Sequence, residues 1–267
     1  IFDGATIYCK QLNVTGKLNG DNMIASVVTG TASNVAAGAS HGGNGGASTS
    51  NPGSEIIYGS ISRPVLFGSP IKDLVNKGGG AVRIVATTSV VVPRNGIISA
   101  NGGGNYVDNY KGGASGGSIL IETPLLKVGG IISANGGDTA TREYSGGGGG
   151  GRIGIHTNSL VWLGDGNSSS SSSSATLQVN GGRNRCSSSQ YCKPGYAGTV
   201  FVNASMLEDL IVAEGVTLNG LVSVAEDVAW KSVNVHNGGT LMLGSGVSSD
   251  SSSSIINVDG NIVIHGE

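Results

Sequence analysis

The stretch GGGAVRIVATTSVVVPRNGIISANGG, residues 78–103, and its echo GGSILIETPLLKVGGIISANGG, residues 116–137, decide how this chain is read. The element IISANGG at Ile97 recurs without change at Ile131, and GGRIGI (150–155) follows GGSILI (116–121) at the same spacing. Each unit is a run of alternating β-branched residues, a Gly/Asn-rich turn and a second short apolar run. That is the pattern of half-buried strands, not helices. Self-similarity at a fixed period points to stacked units that share one core.

Working outward, ATLQVNGG (175–182) is a diverged third copy of IISANGG, displaced by a serine-rich insertion. This places Asn101, Asn135 and Asn180 at one equivalent position, a candidate asparagine ladder. Nearer the C-terminus the beat is tighter and again even: LIVAEGVTL begins at Leu210, VNVHNGGTL at Val233 and INVDGNIVI at Ile256. These observations predict an all-β fold, a right-handed parallel β-helix (solenoid) with Gly/Ser-rich loop excursions. Residues 1–267 form one such unit, with long-excursion coils over 78–202 and tight 23-residue coils over 203–267. Strands of about five residues are expected, with Val82, Ile84, Ile119, Ile121, Ile153, Ile155, Val200 and Val202 stacked inward. Glycines at the turns are expected to serve positive φ, and the Gly-rich segments 102–116 and 136–149 to be excursions at a free corner. Both ends read as coil in mid-stride, which suggests a longer parent protein or covering subunits.

Composition narrows the function. Charged residues are 12% of the 267 and the net charge is −2, so there is no electrostatic footprint for nucleic acid. No apolar run is long enough for a membrane-spanning helix, and no membrane insertion is expected. The 48 glycines show no strict three-residue period, which excludes collagen.

The order SHGGNGG (40–46), YGSISRPVLFGSP (58–70), GGGAVRI (78–84), ISANGG (98–103), GGASGGSILI (112–121), ISANGG (132–137) and GGGGGGRIGI (146–155) resembles a family of Gly-rich repeat surface proteins of protists and some bacteria. The resemblance covers about half the chain. It implies a pectate-lyase-like β-helix within a large secreted protein, and it extends to mastigoneme proteins, which build hair-like filaments on flagella. CSSSQYCKPGYAG (186–198) is similar to the end of an EGF-like module, although two cysteines cannot complete one.

Enzymes on this fold gather acids with Lys, Arg or His on an outward strand face. Here the acids are scattered, Arg152 has no catalytic companion in its motif, and His41 in SHGGNGG reads as a hydrogen-bonding turn histidine. No catalytic residue, metal ligand or cofactor is assigned. Cys186 and Cys192 are spaced for a local disulfide, three reduced thiols being the alternative, and Cys9 is left over. Asn13, Asn167 and Asn203 each open an N-glycosylation acceptor motif, and serine clusters occupy 168–174 and 248–254. The reading that results is an extracellular structural protein, a subunit or module of a glycosylated filament, coat or surface appendage. Its partners would be other copies or other subunits of that filament, together with covalent glycans. The alternatives are a glycan-binding adhesin module, with Tyr106, Tyr110 and Tyr144 as its exposed aromatics, and a pectate-lyase-like carbohydrate-active enzyme.

Overall fold

The computed structural model describes residues 4–23, 29–31, 33–48, 51–104, 111–139, 145–163, 175–184 and 192–203, and beyond these only the backbone of several short strands. Among the described residues there are strands and no helix. Strands β1 (Ala5–Asn13), β3 (Ala81–Val92), β5 (Ser118–Val128), β7 (Arg152–Trp162), β9 (Thr199–Val202) and β12 (Leu221–Ser223) form one six-stranded sheet in that order. A second takes β2 (Lys17–Asn19), β4 (Ile97–Ser99), β6 (Ile131–Ser133), β8 (Thr176–Gln178), β11 (Thr217–Asn219) and β14 (Thr240–Leu241). A three-stranded sheet holds β10 (Asp209–Val212), β13 (Ser232–Val235) and β15 (Ile262–Ile264). Every pairing among these described strands is parallel.

The sequence repeats set the register. Ile97 pairs with Ile131, and Ile119 with Ile153, so one repeat of the sequence is one step up each sheet. Ile131 pairs with Thr176, so the diverged copy stays in line although its step is longer. Val82, Ile119, Ile153 and Val200 lie side by side, as do Ile84, Ile121, Ile155 and Val202, and all are at most 5% exposed. With Ile98, Ile132 and Leu177 from the second sheet they make a continuous apolar core. Each buried Ile or Leu contributes roughly 1.5–3 kcal/mol relative to exposure, and the branched side chains suit the pleated surface.

Three expectations need correction. The strands of the first sheet are not uniformly short: β3 has 12 residues and β5 and β7 have 11. A register shift between Val85 and Ser89 interrupts the pairing of β3 with β5, so β3 is two paired runs within one strand. The even C-terminal beat also breaks. Leu210 pairs with Val233 as the repeat requires, but Val233 pairs with Ile262, not Ile256. The uncharged run Ile262–Ile264 is a better strand than Ile256–Asp259, because Asp disfavours strands.

The third correction concerns the glycines. Gly59 is the one described glycine with positive φ, at 82°, so turn geometry does not explain their number. Close packing does. The segment 146–151 is wholly buried, and its backbone N–H groups point in three directions with a period of three. Gly146 and Gly149 donate to Ala36 and Ala39, Gly147 and Gly150 to Lys193 and Tyr196, and Gly148 and Gly151 to Gly137 and Ala134. Its carbonyls accept from Gly113, Gly116, Gly46, Gly42 and Gly182. Three residues per turn with sideways hydrogen bonds is the habit of a polyproline II helix, whose backbone makes no internal bonds. Segments 36–46, 112–117, 134–137, 179–182 and 193–198 therefore surround 146–151 as a bundle of extended chain. A Cβ at any glycine of 146–151 would fall under 3.0 Å from a backbone atom of a neighbouring segment. The described parts of the segments that read as loop excursion thus belong to a second interior, packed largely backbone on backbone.

Candidate functional site

Among the described residues, two polar constellations outside the apolar core stand out as candidate sites. The first is built around His41, 0% exposed in the glycine bundle. Its Nδ1 lies 2.8 Å from the carbonyl oxygen of Gly116, which can only accept, so Nδ1 carries the proton. The Nε2 lone pair then has no hydrogen-bond partner among the described residues. The imidazole sits against the Tyr58 ring, centroids 4.6 Å apart. Burial drives its pKa down to about 3; the Gly116 carbonyl opposes this and the charge of Arg152 adds to it. His41 is thus a hydrogen-bonded bend histidine, as its motif suggests, and burial also makes it a neutral interior group.

Arg152, 2% exposed, opens β7 with its side chain outward from the apolar core. Its Nε donates to the Tyr58 carbonyl at 3.0 Å and its Nη1 to Thr199 Oγ1 at 2.9 Å. Tyr58 in turn donates through its hydroxyl to the Phe67 carbonyl at 2.7 Å and meets Ser69 Oγ at 2.8 Å. Burial raises the Tyr58 pKa to about 12, so it stays a phenol. At Gly59 the positive φ turns the chain tightly beside His41 and Arg152. The companions that Arg152 lacks in its own motif come from residues 41, 58 and 199, and His41, Tyr58 and Arg152 each bond at least one backbone carbonyl. This constellation ties the segment 58–69 across the first sheet. Ser118 Oγ on β5 adds a bond to the Leu66 carbonyl at 2.6 Å, and His156 Nε2 on β7 adds one to the Ser62 carbonyl at 2.7 Å.

The second constellation is an open groove of about 360 Å³ beside that strap, lined by Arg63, Ala86, Glu122, Thr123, Pro124, His156, Thr157, Asn158 and Asn203. Its floor is a column of outward side chains on adjacent strands. Glu122 pairs with His156, and Asn203 lies one residue past Val202, which pairs with Ile155. Arg63 Nη1 and Arg83 Nη2 hold the two Glu122 oxygens at 2.6 and 2.7 Å. Burial opposes ionisation of Glu122, but the bonds from Arg83 and Arg63 win and hold its carboxyl below the usual range. A carboxylate so held is a fixed anion, poorly suited to donate a proton.

The structure brings the three candidate asparagines together. The Asn101 side-chain oxygen accepts the N–H of Asn135 at 2.7 Å, and that of Asn135 accepts the N–H of Asn180 at 2.8 Å. Sequence reading missed the first rung: Asp21 Oδ1 accepts the N–H of Asn101 at 2.7 Å. It also missed a parallel rung, in which Asp138 accepts the N–H of Arg183 at 2.7 Å. Asp does the same work as Asn here because only the acceptor oxygen is used.

Asn13 is exposed on β1, and Asn203 is half-buried at the groove. Cys192 is disulfide-bonded and Cys9 is a free thiol. Asn167, Cys186, Tyr106, Tyr110, Tyr144 and both serine clusters lie outside the described residues. No protein-family model, curated protein or solved structure matches this chain.

Proposed function

We propose that this chain is a module of a secreted structural protein, a right-handed parallel β-helix with a glycine bundle packed along it. The module would belong to a glycosylated extracellular filament, coat or surface appendage. The observation that carries this reading is the way in-register parallel strands and the glycine bundle bond to one another. From β1 to β9 successive strands alternate between the two six-stranded sheets, which is how a chain winding in coils would lay them down. Backbone bonds run along the coil axis in the sheets and in three directions in the bundle, which favours stiffness over motion.

The buried polar groups support the same reading, since His41, Arg152, Tyr58 and Ser118 are bound to backbone carbonyls. The lateral surface would come from the outside of the strap, where Ile56, Ile57, Ile61 and Leu66 are 40–55% exposed. Partners would be further copies or other subunits of the same assembly. Negative-stain imaging of the native material tests this. Fibres or sheets with an axial repeat are expected; dispersed monomers at high concentration would overturn it.

A further inference from the structure

We propose that the groove beside the strap is the cradle of an N-linked glycan carried by Asn203, an inference that rests on the secreted reading above. The acceptor motif is Asn203-Ala204-Ser205. Asn203 follows β9 directly, and its N–H donates to the Ile155 carbonyl at 2.8 Å, which fixes it one residue beyond the inward-facing Val202. Alternation then puts its side chain on the outward column with His156 and Glu122, at the end of the groove that these residues floor. Of the other two acceptors, Asn13 is exposed on β1, at the far side of the sheet from β9, and Asn167 lies outside the described residues.

The lining suits a saccharide. Strands lie about 4.8 Å apart, so the two steps from Asn203 to Glu122 match the reach of the two core N-acetylglucosamine rings. Asn158 offers a side-chain amide along that path, and the Arg63–Glu122 ion pair borders it. Ala86 and Pro124 give an apolar patch for an acetamide methyl. The volume, about 360 Å³, falls at the lower end of the range of small-ligand sites, about 300–1,000 Å³. That is room for the inner rings and not for a branched glycan, whose outer part would leave through the open side.

The modification itself is a group transfer in the secretory pathway. The Asn203 amide nitrogen bonds to the anomeric carbon of a lipid-linked oligosaccharide. The anomeric carbon–oxygen bond breaks, the lipid pyrophosphate leaves and the amide gives up one proton. Transfer to the unfolded chain precedes closure of the groove, so the half-buried position of Asn203 in the folded state is no obstacle.

The test uses the full chain secreted from a eukaryotic host. Peptide mass mapping reads occupancy at Asn13, Asn167 and Asn203, and peptide N-glycosidase reads the rate of glycan release before and after denaturation. Expected is a glycan on Asn203 released at least an order of magnitude more slowly than that on Asn13 in the folded protein, with the difference abolished by denaturation. Arg63→Ala, which removes one groove wall, should speed release at Asn203 and leave Asn13 unchanged. A bare Asn203 beside an occupied Asn13 overturns this inference alone, as does equal release in the folded state. All three sites bare would overturn the secreted-glycoprotein reading with it.

Discussion

Replacing Gly148 by alanine tests whether the glycine bundle is a packed interior. A Cβ at Gly148 would lie 2.5 Å from the carbonyl carbon of Ala114 and 3.0 Å from that of Gly113. The carbonyl oxygen of Ala114 would be closer still, and ordinary contact begins near 3.4 Å, so the two backbone segments must separate by more than 1 Å in an interior that relaxes poorly. Three short bonds cross that junction: Gly148 N–H to the Gly137 carbonyl at 3.1 Å, Gly182 N–H to the Gly148 carbonyl at 2.7 Å, and Gly137 N–H to the Ala114 carbonyl at 2.8 Å. Each is worth about 1 kcal/mol net, and more when a buried group is left unpaired; overpacking by itself costs about 1–3 kcal/mol. The expected loss is therefore about 3–5 kcal/mol, large for the addition of one methyl group. The matched control is Gly16→Ala, since nothing lies within 4 Å of a Cβ there and its φ is unstrained. That change should be neutral or stabilise by up to about 1 kcal/mol through the unfolded chain. Urea unfolding followed by circular dichroism reads both. A Gly148→Ala protein within about 1 kcal/mol of the parent would refute the packing argument, because a mobile loop would accept the methyl group freely.

Two further outcomes follow from the polar groups. His41 has its pKa lowered to about 3 from 6.5, so the unfolded chain binds its proton first as the pH falls. The stability it contributes is complete above pH 6.5 and is lost on the way down to about pH 3, at about 1.4 kcal/mol per pH unit. Between pH 6.5 and 5, above the range in which Glu122 and Asp73 titrate, this amounts to about 2 kcal/mol. A His41→Gln variant should show a shallower decline in that window, and an identical pH profile would sink the assignment. At the asparagine ladder, Asn135→Leu leaves the Asn180 N–H without its acceptor and should cost about 1–3 kcal/mol. Asn135→Asp keeps that oxygen, as Asp21 does naturally, and should retain most of the stability in thermal unfolding; equal losses in both variants would contradict the acceptor role.

Much of the architecture was legible in the chain. Alternation of branched apolar residues is a local property with a period of two, and it names both the strand and its inward face, as at Val82, Ile84, Ile119 and Ile121. Identical segments at Ile97 and Ile131 fix the register, because equivalent strands pair with equivalent neighbours. The asparagine position follows from the same repeats. The groove was not legible, since Glu122, His156 and Asn203 meet only through strand stacking, and Arg63 arrives on a strap far from Glu122 in the chain.

What the sequence determined by itself is the all-β, parallel, in-register character of the protein, for the strand pattern and its period are written in neighbouring side chains. Only the tertiary structure decided what the glycines are for. A residue without a side chain leaves no periodic signal, and its role here depends on backbone atoms far away in sequence: Gly148 beside Ala114, Gly149 beside Gly43, Gly146 beside Gly46. The same holds for His41 and Arg152, whose neutral and charged interiors are created by residues 58, 116 and 199. Local patterns specify elements, but the fit of one backbone against another is a long-range property, and long-range contact sets which buried polar groups find partners.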